Sequence, residues 1–233
     1  MLPTTCISLK SIDSTNSFAR RNLREFDPTH ITIISADEQT QGKGRNTNKW
    51  SSPLGENLYA TFAFAYQNSP FLLAQIAALA TFDTLNSFGV KTRIKWPNDL
   101  ITDKGKLSGV LIEYAQEEIG WAIVGIGINV LMKSAPKGLT RAASSIYLET
   151  HQEVAVAKVL EKLSLELQKQ LQESSIHIQT QWQNQVIWMV GNRFPIKIDG
   201  TVEEALIESI SPEGFLTCRT ASGKKTISSA EIF

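Results

Sequence analysis

Between Gln39 and Pro53 the chain reads QTQGKGRNTNKWSSP. Gly42 and Gly44 permit close backbone approach, and Lys43, Arg45 and Lys49 set positive charge beside backbone N–H groups that can face an anion. From Asp37 to Pro53 the one large apolar residue is Trp50, while HITIISA precedes the segment and LYATFAFAY follows it. A polar, cationic connection this long between two strands is usually functional or disordered. It reads as an anion-binding loop.

Four further segments carry chemistry-bearing side chains. In Lys95-Trp96-Pro97-Asn98-Asp99 the proline ends a strand and displays a polar pair beside a lysine and a tryptophan; alone, the Asn-Asp pair reads more readily as a plain turn. Lys106 opens a hydrophobic strand, where period-2 alternation would place it on the face of Ser108, Val110 and Ile112; a solvated edge residue has the same signature. In Val124–Val130, VGIGINV, alternation separates a core face of Val124, Ile126, Ile128 and Val130 from a face of Gly125, Gly127 and Asn129. That bare face suits either a ligand lying flat on the strand or a tightly packed helix. Ser14-Thr15-Asn16 follows Asp13, which is positioned to N-cap a helix.

These residues need a frame. Apolar and β-branched runs predict strands at Cys6–Leu9, His30–Ala36, Asn57–Tyr66, Lys106–Ala115 and Gly120–Val130. Helical spacing predicts helices at 13–23 (Phe18, Ala19 and Leu23 on one face), Pro70–Phe88 stopped by Gly89, Glu153–Leu171, and about Ile176–Val190. Met132–Tyr147 is a poorly patterned connection. After Gly191 come short strands separated by Asp199-Gly200, Pro212–Gly214 and Ser222-Gly223, the pattern of a small β-barrel too small to be comfortable alone. The expected division is 1–188 and 189–233.

The 233 residues are 42% hydrophobic and 20% charged, with 23 cationic and 23 anionic side chains, so no net field draws in nucleic acid or an anionic membrane. The two cysteines, Cys6 and Cys218, lack metal-ligand spacing, and His30, His151 and His177 form no pattern with a nucleophile. No signal peptide or apolar span of 18 residues is present, and a cytoplasmic protein is expected.

Taken in order, STN, QTQGKGR with KW, NLY, KWPNDL, KLSGVLIE and GIGIN, followed by the small β unit, resemble the biotin protein ligase family over essentially the whole chain. The resemblance implies an α+β fold. Its catalytic domain would be like that of class II aminoacyl-tRNA synthetases, a mixed β-sheet with flanking helices, joined to a C-terminal SH3-like barrel. It implies ATP, carried with Mg2+, and biotin as substrates. Biotinoyl-5′-AMP would form first, and its acyl group would pass to a lysine of a biotin carboxyl carrier protein, such as an acetyl-CoA carboxylase subunit.

By position, Ser14, Thr15, Asn16 and Gln39 match residues holding the biotin head group. Gly42, Lys43, Gly44 and Arg45 match the loop that closes over the activated carboxyl. Lys106 matches the lysine reaching both the carboxyl and the α-phosphate. Trp50, Asn98, Gly109 and Asn129 match positions around the nucleotide, and Asp99, Lys95 and Arg45 match supports of the catalytic step. No protein-held metal, DNA or membrane is implied, and a homodimer is left open. The chain departs from the family's G-R-G-R-R-G at Lys43, Asn46 and Thr47, and has Ser229-Ala230-Glu231 where a glycine usually precedes the acid. No DNA-binding segment precedes Ser14, which speaks against a repressor role.

Overall fold

Nine residues from Thr4 to Ile12 form strand β1, which runs parallel to β2 (Ile31–Gln39). From there every pairing is antiparallel. β3 (Asn57–Ala65), β4 (Arg93–Lys95), β5 (Asp99–Thr102), β6 (Gly105–Gln116) and β7 (Gly120–Asn129) complete a seven-stranded mixed sheet of order β1-β2-β3-β7-β6-β5-β4. The structure, a computed structural model, describes residues 1–45, 48–134, 142–198 and 200–232. Asn46 and Thr47, two of the loop departures, lie outside these, as do residues 135–141 of the poorly patterned connection and Asp199 of its turn.

The helices are α1 (Thr15–Arg21), α2 (Pro70–Ser87), α3 (Ile146–Thr150), α4 (Val156–Gln170) and α5 (Ser175–Val186). One sheet face is covered by α2 and α4, whose Leu73, Ile76, Val159, Leu163 and Leu167 are fully or nearly buried against Phe62, Val124 and Ile126. On the opposite face Ala19 and Leu23 pack with Ile34, Ala63, Trp121 and Ile123. Because α1 is short, it covers only part of that face. The glycines of β7 lie beside it, and the site forms there.

Several expected helix edges shift. Residues 153–155 stay extended before α4, and α5 gives way to a 3-10 turn at Ile187–Met189. The first helix starts one residue later than expected, since Ser14 and not Asp13 is its N-cap, accepting from Ser17 N at 3.5 Å. Asp13 instead accepts two bonds from the Arg21 guanidinium, at 2.6 and 2.9 Å. That guanidinium holds its carboxyl down to about 2. A planar fork on a carboxylate is a stronger partner for Asp13 than a lone helix N–H.

Beyond Gly191, strands β8 (Arg193–Ile198), β9 (Thr201–Ile210), β10 (Leu216–Thr220), β11 (Gly223–Ile227) and β12 (Glu231–Ile232) form an all-antiparallel sheet of order β11-β10-β9-β8-β12. Its apolar residues Ile196, Ala205 and Ile207 continue the main core. Polar contacts join the two units as well. Trp96 Nε1 donates to Gly214 O at 2.8 Å, Gln75 Nε2 to Pro212 O at 2.6 Å and Lys95 Nζ to Ile232 O at 2.8 Å. Among the described residues no helix is long and apolar enough to cross a membrane.

Candidate functional site

The loop after β2 folds back on itself. Lys43 and Lys49 form an antiparallel bridge, Gly44 N donates to Asn48 O at 2.8 Å, and Trp50 N donates to Gly42 O at 2.9 Å. A β-carbon on Gly42 would collide with Trp50 O and Ser52 Oγ, so this glycine lets the two limbs of the loop approach. The loop roofs an open cavity whose floor is the glycine-bearing part of β6 and β7.

The two ends of the cavity differ in character. Ser14, Thr15, Asn16 and Gln39 bring neutral polar groups, with Asn16 against Gly125, and Lys106 brings a cation against Gly109; Lys43, Arg45, Lys49 and Lys95 also line the cavity. Asp99 is the carboxylate among the lining residues. A chain with balanced charge thus concentrates positive potential locally. At the cationic end Lys106 Nζ lies 2.6 Å from Asp99 Oδ1 and 5.1 Å from the centre of the Trp50 ring. Arg45 donates to Asn98 Oδ1 at 3.1 Å, to Ala230 O at 3.2 Å and to Ser229 Oγ. Asn98 Nδ2 donates in turn to Val110 O. The serine and alanine of the departing barrel turn are therefore contacts of the loop arginine.

Lys106 does not share a face with Ser108, Val110 and Ile112 as alternation suggested. The β5–β6 pairing slips: Leu100 opposes Ser108 but Ile101 opposes Lys106. This bulge adds one residue, Leu107, and transfers Lys106 to the face of Gly109, where a β-carbon would stand 3.2 Å from Lys106 Nζ and 3.1 Å from the Trp50 ring. Bulges commonly re-aim a side chain beside an active site.

On the bare face of β7, Gly125 and Gly127 line the cavity and are approached by two side chains. A β-carbon on Gly127 would stand 2.5 Å from the Trp50 indole, and one on Gly125 would collide with the Asn16 amide. Two side chains, from the loop and from the start of α1, use the space the glycines leave.

Fifteen of the candidate residues were named from sequence, and the lining gathers Ser14, Thr15, Asn16 and Gln39 with Lys43, Gly44, Arg45 and Trp50, and these with Lys95, Asn98, Asp99, Lys106 and Gly109. Gly42 and Asn129 are not among the lining residues. Asn129 Nδ2 donates to Ser144 O at 2.9 Å and Lys106 O at 3.4 Å, so it secures the backbone around the lysine. Among the described residues no group of three His, Cys, Asp or Glu side chains could hold a metal ion.

Sequence reasoning missed Tyr59, Thr61 and Glu113. The signal lay in alternation along β3, which puts Asn57, Tyr59 and Thr61 opposite Asn129, Gly127 and Gly125. The Tyr59 hydroxyl donates to Pro53 O at 3.0 Å and accepts from Asn57 Nδ2 at 3.2 Å, and burial pushes its pKa up to about 12. An unfolded tyrosine titrates near 10. The folded form therefore keeps its proton longer, and the stability tied to this phenol, complete below pH ~10, is lost as pH rises from ~10 to ~12. Phenolate absorbance of the protein minus that of Tyr59→Phe should titrate near the upper value; titration near 10 would contradict the burial described.

Residues 8–129 match the model of the Biotin/lipoate A/B protein ligase family. The chain is 30% identical over 216 residues to "Biotin--[acetyl-CoA-carboxylase] ligase" of Paracoccus denitrificans, covering 86% of this chain and 89% of that one. It is also 30% identical over 214 residues to "Bifunctional ligase/repressor BirA" of Bacillus spizizenii, but spans only 65% of that relative's length. The fold superposes on a biotin protein ligase from Aquifex aeolicus, solved in complex with biotin and ATP, with a TM-score of 0.81 and 26% identity over 98% of this chain and 97% of that one. The chain belongs to the biotin/lipoate A/B protein ligase family.

Proposed function

We propose that this chain is an ATP-dependent ligase that activates biotin as biotinoyl-5′-AMP and transfers it to a lysine of a biotin carboxyl carrier protein, residues 1–188 forming the catalytic unit and 189–233 the appended β unit. The observation that carries this reading is the polarity of the cavity: a neutral hydrogen-bonding end and a cationic end over one glycine floor. Biotin has the same polarity, with a neutral urea at one end and a carboxylate at the other. Its carboxylate and the α-phosphate of ATP are both anions. To bring them together needs positive charge held in line with the reacting atoms, which Lys106 supplies from the floor and Lys43 and Arg45 from the roof.

The oxygen of the carboxylate attacks the α-phosphorus and pyrophosphate leaves. The ammonium of Lys106, held by Asp99, counters the charge gathering on the phosphoryl oxygens. Mg2+ would arrive on the nucleotide's phosphates, in keeping with a lining whose carboxylate is engaged by Lys106. The loop, closed by the contacts of Arg45 to Asn98 and the barrel turn, would keep water from the mixed anhydride until an acceptor amine displaces AMP.

Pyrophosphate release on mixing the protein with biotin and Mg-ATP tests the first step, and mass spectrometry of a carrier domain the second. Saturable biotin binding without pyrophosphate would instead indicate a binding module. Activation of lipoate in place of biotin would indicate the other branch of the family.

A further inference from the structure

We infer that Glu113 is a positioning residue that sets which way the head-group end of the cavity points its hydrogen bonds; the inference rests on the biotin reading above. Glu113 lies on β6, and its Oε2 accepts from Asn16 Nδ2 at 2.8 Å, while Oε1 faces Arg20 Nη2 at 3.5 Å. An ionised carboxylate only accepts. It therefore fixes the Asn16 amide with nitrogen toward β6 and oxygen toward β3, where Thr61 Oγ1 donates to Asn16 Oδ1 at 2.6 Å.

The order continues along the chain of contacts. With its one proton given to Asn16 Oδ1, Thr61 Oγ1 accepts from Thr15 Oγ1 at 2.8 Å, and Gln39 Oε1 accepts from Thr15 N at 2.9 Å. Gln39 Nε2 donates to Ser52 Oγ at 2.9 Å, and Ser52 Oγ to Trp50 O at 3.2 Å. Gln39 Oε1 and Asn16 Oδ1 each accept a bond within the protein. Beside the remaining lone pairs of these oxygens, the contacts leave to a ligand the second N–H of Asn16 and of Gln39 and the hydroxyl proton of Ser14, whose oxygen already accepts from Ser17 N. These three donors are complementary to a carbonyl oxygen such as that of a urea. Without Glu113 the Asn16 amide is free to turn over and present an acceptor there instead.

The test compares Glu113→Gln, which can still offer an oxygen to Asn16, with Glu113→Met, which cannot. Wild-type enzyme is first shown to bind biotin and release pyrophosphate; failure at that stage would overturn the proposed function, not this inference. Glu113→Met is expected to raise the KM for biotin about tenfold or more, with kcat and the KM for ATP within about threefold, and Glu113→Gln to recover most of that loss. Calorimetry with 2-iminobiotin, whose cationic guanidinium replaces the carbonyl acceptor by a donor, gives a second readout. Wild-type should prefer biotin about a hundredfold or more, and Glu113→Met should narrow that ratio. The inference is overturned if Glu113→Met leaves the biotin KM within about threefold of wild-type, if Glu113→Gln is as impaired as Glu113→Met, or if the preference for biotin over 2-iminobiotin does not change.

Discussion

Lys106→Ala is expected to lower pyrophosphate release by about 10²–10³-fold, the usual cost of deleting a preorganised group that stabilises developing charge. The side chain is held in place by Asp99 at 2.6 Å and lies over Gly109, so its ammonium is set before any ligand arrives. Alanine also leaves the Asp99 carboxylate without this cation in a cavity meant for anions, and binding of both substrates should weaken. The double variant Lys106→Ala/Asp99→Asn separates the two effects: binding should recover while turnover stays low. Since the lysine side chain is 29% exposed, the fold should persist, and an unchanged thermal transition would show it. Near-normal turnover in the single variant would refute the role.

The second large effect concerns stability. Trp96 is 2% exposed, its indole N–H donates to Gly214 O at 2.8 Å and its backbone N–H faces Met189 Sδ at 3.3 Å. Trp96→Ala removes the largest buried side chain at the junction of the two units. The expected loss is about 3–5 kcal/mol, or a fall in Tm of roughly 6–20 °C for a chain of this size. Activity should fall as well, because Lys95, Asn98 and Asp99 flank the tryptophan. Trp96→Phe, which keeps much of the bulk but strands the Gly214 carbonyl, should cost only about 1–3 kcal/mol. A melting temperature for Trp96→Ala within a degree or two of wild-type would show that the junction does not depend on this side chain.

The strands and helices were legible because their patterning is strong. β3 and β7 are nearly continuous hydrophobic runs, and α4 carries Val159, Leu163 and Leu167 on one stripe, all buried. The site was legible as a set of segments, since glycine, lysine and asparagine at strand ends and loops have few purely structural uses in that order. Which side chain faces which was less legible. Lys106 changed faces because one residue, Leu107, is taken up by a bulge, and alternation cannot anticipate an extra residue whose cause is pairing with β5. Asp13 yielded the helix cap to Ser14 because Arg21, two turns on, offered a better partner. Glu113 went unassigned because a glutamate near the end of a strand is ordinarily a solvated residue. Only the fold brings it to Asn16, 97 positions away.

The contact between Trp50 and Gly127 has an evolutionary corollary. An indole pressed on a residue with no β-carbon ties together two positions 77 apart in the chain. Drift at either site is then conditional on the other. An alanine at 127 becomes tolerable once 50 carries a smaller or differently shaped ring, and a lineage that loses the tryptophan is released from keeping the glycine. Aligned sequences of the family should therefore show the two positions substituted together more often than either changes alone, a signature that can be counted without purifying the protein.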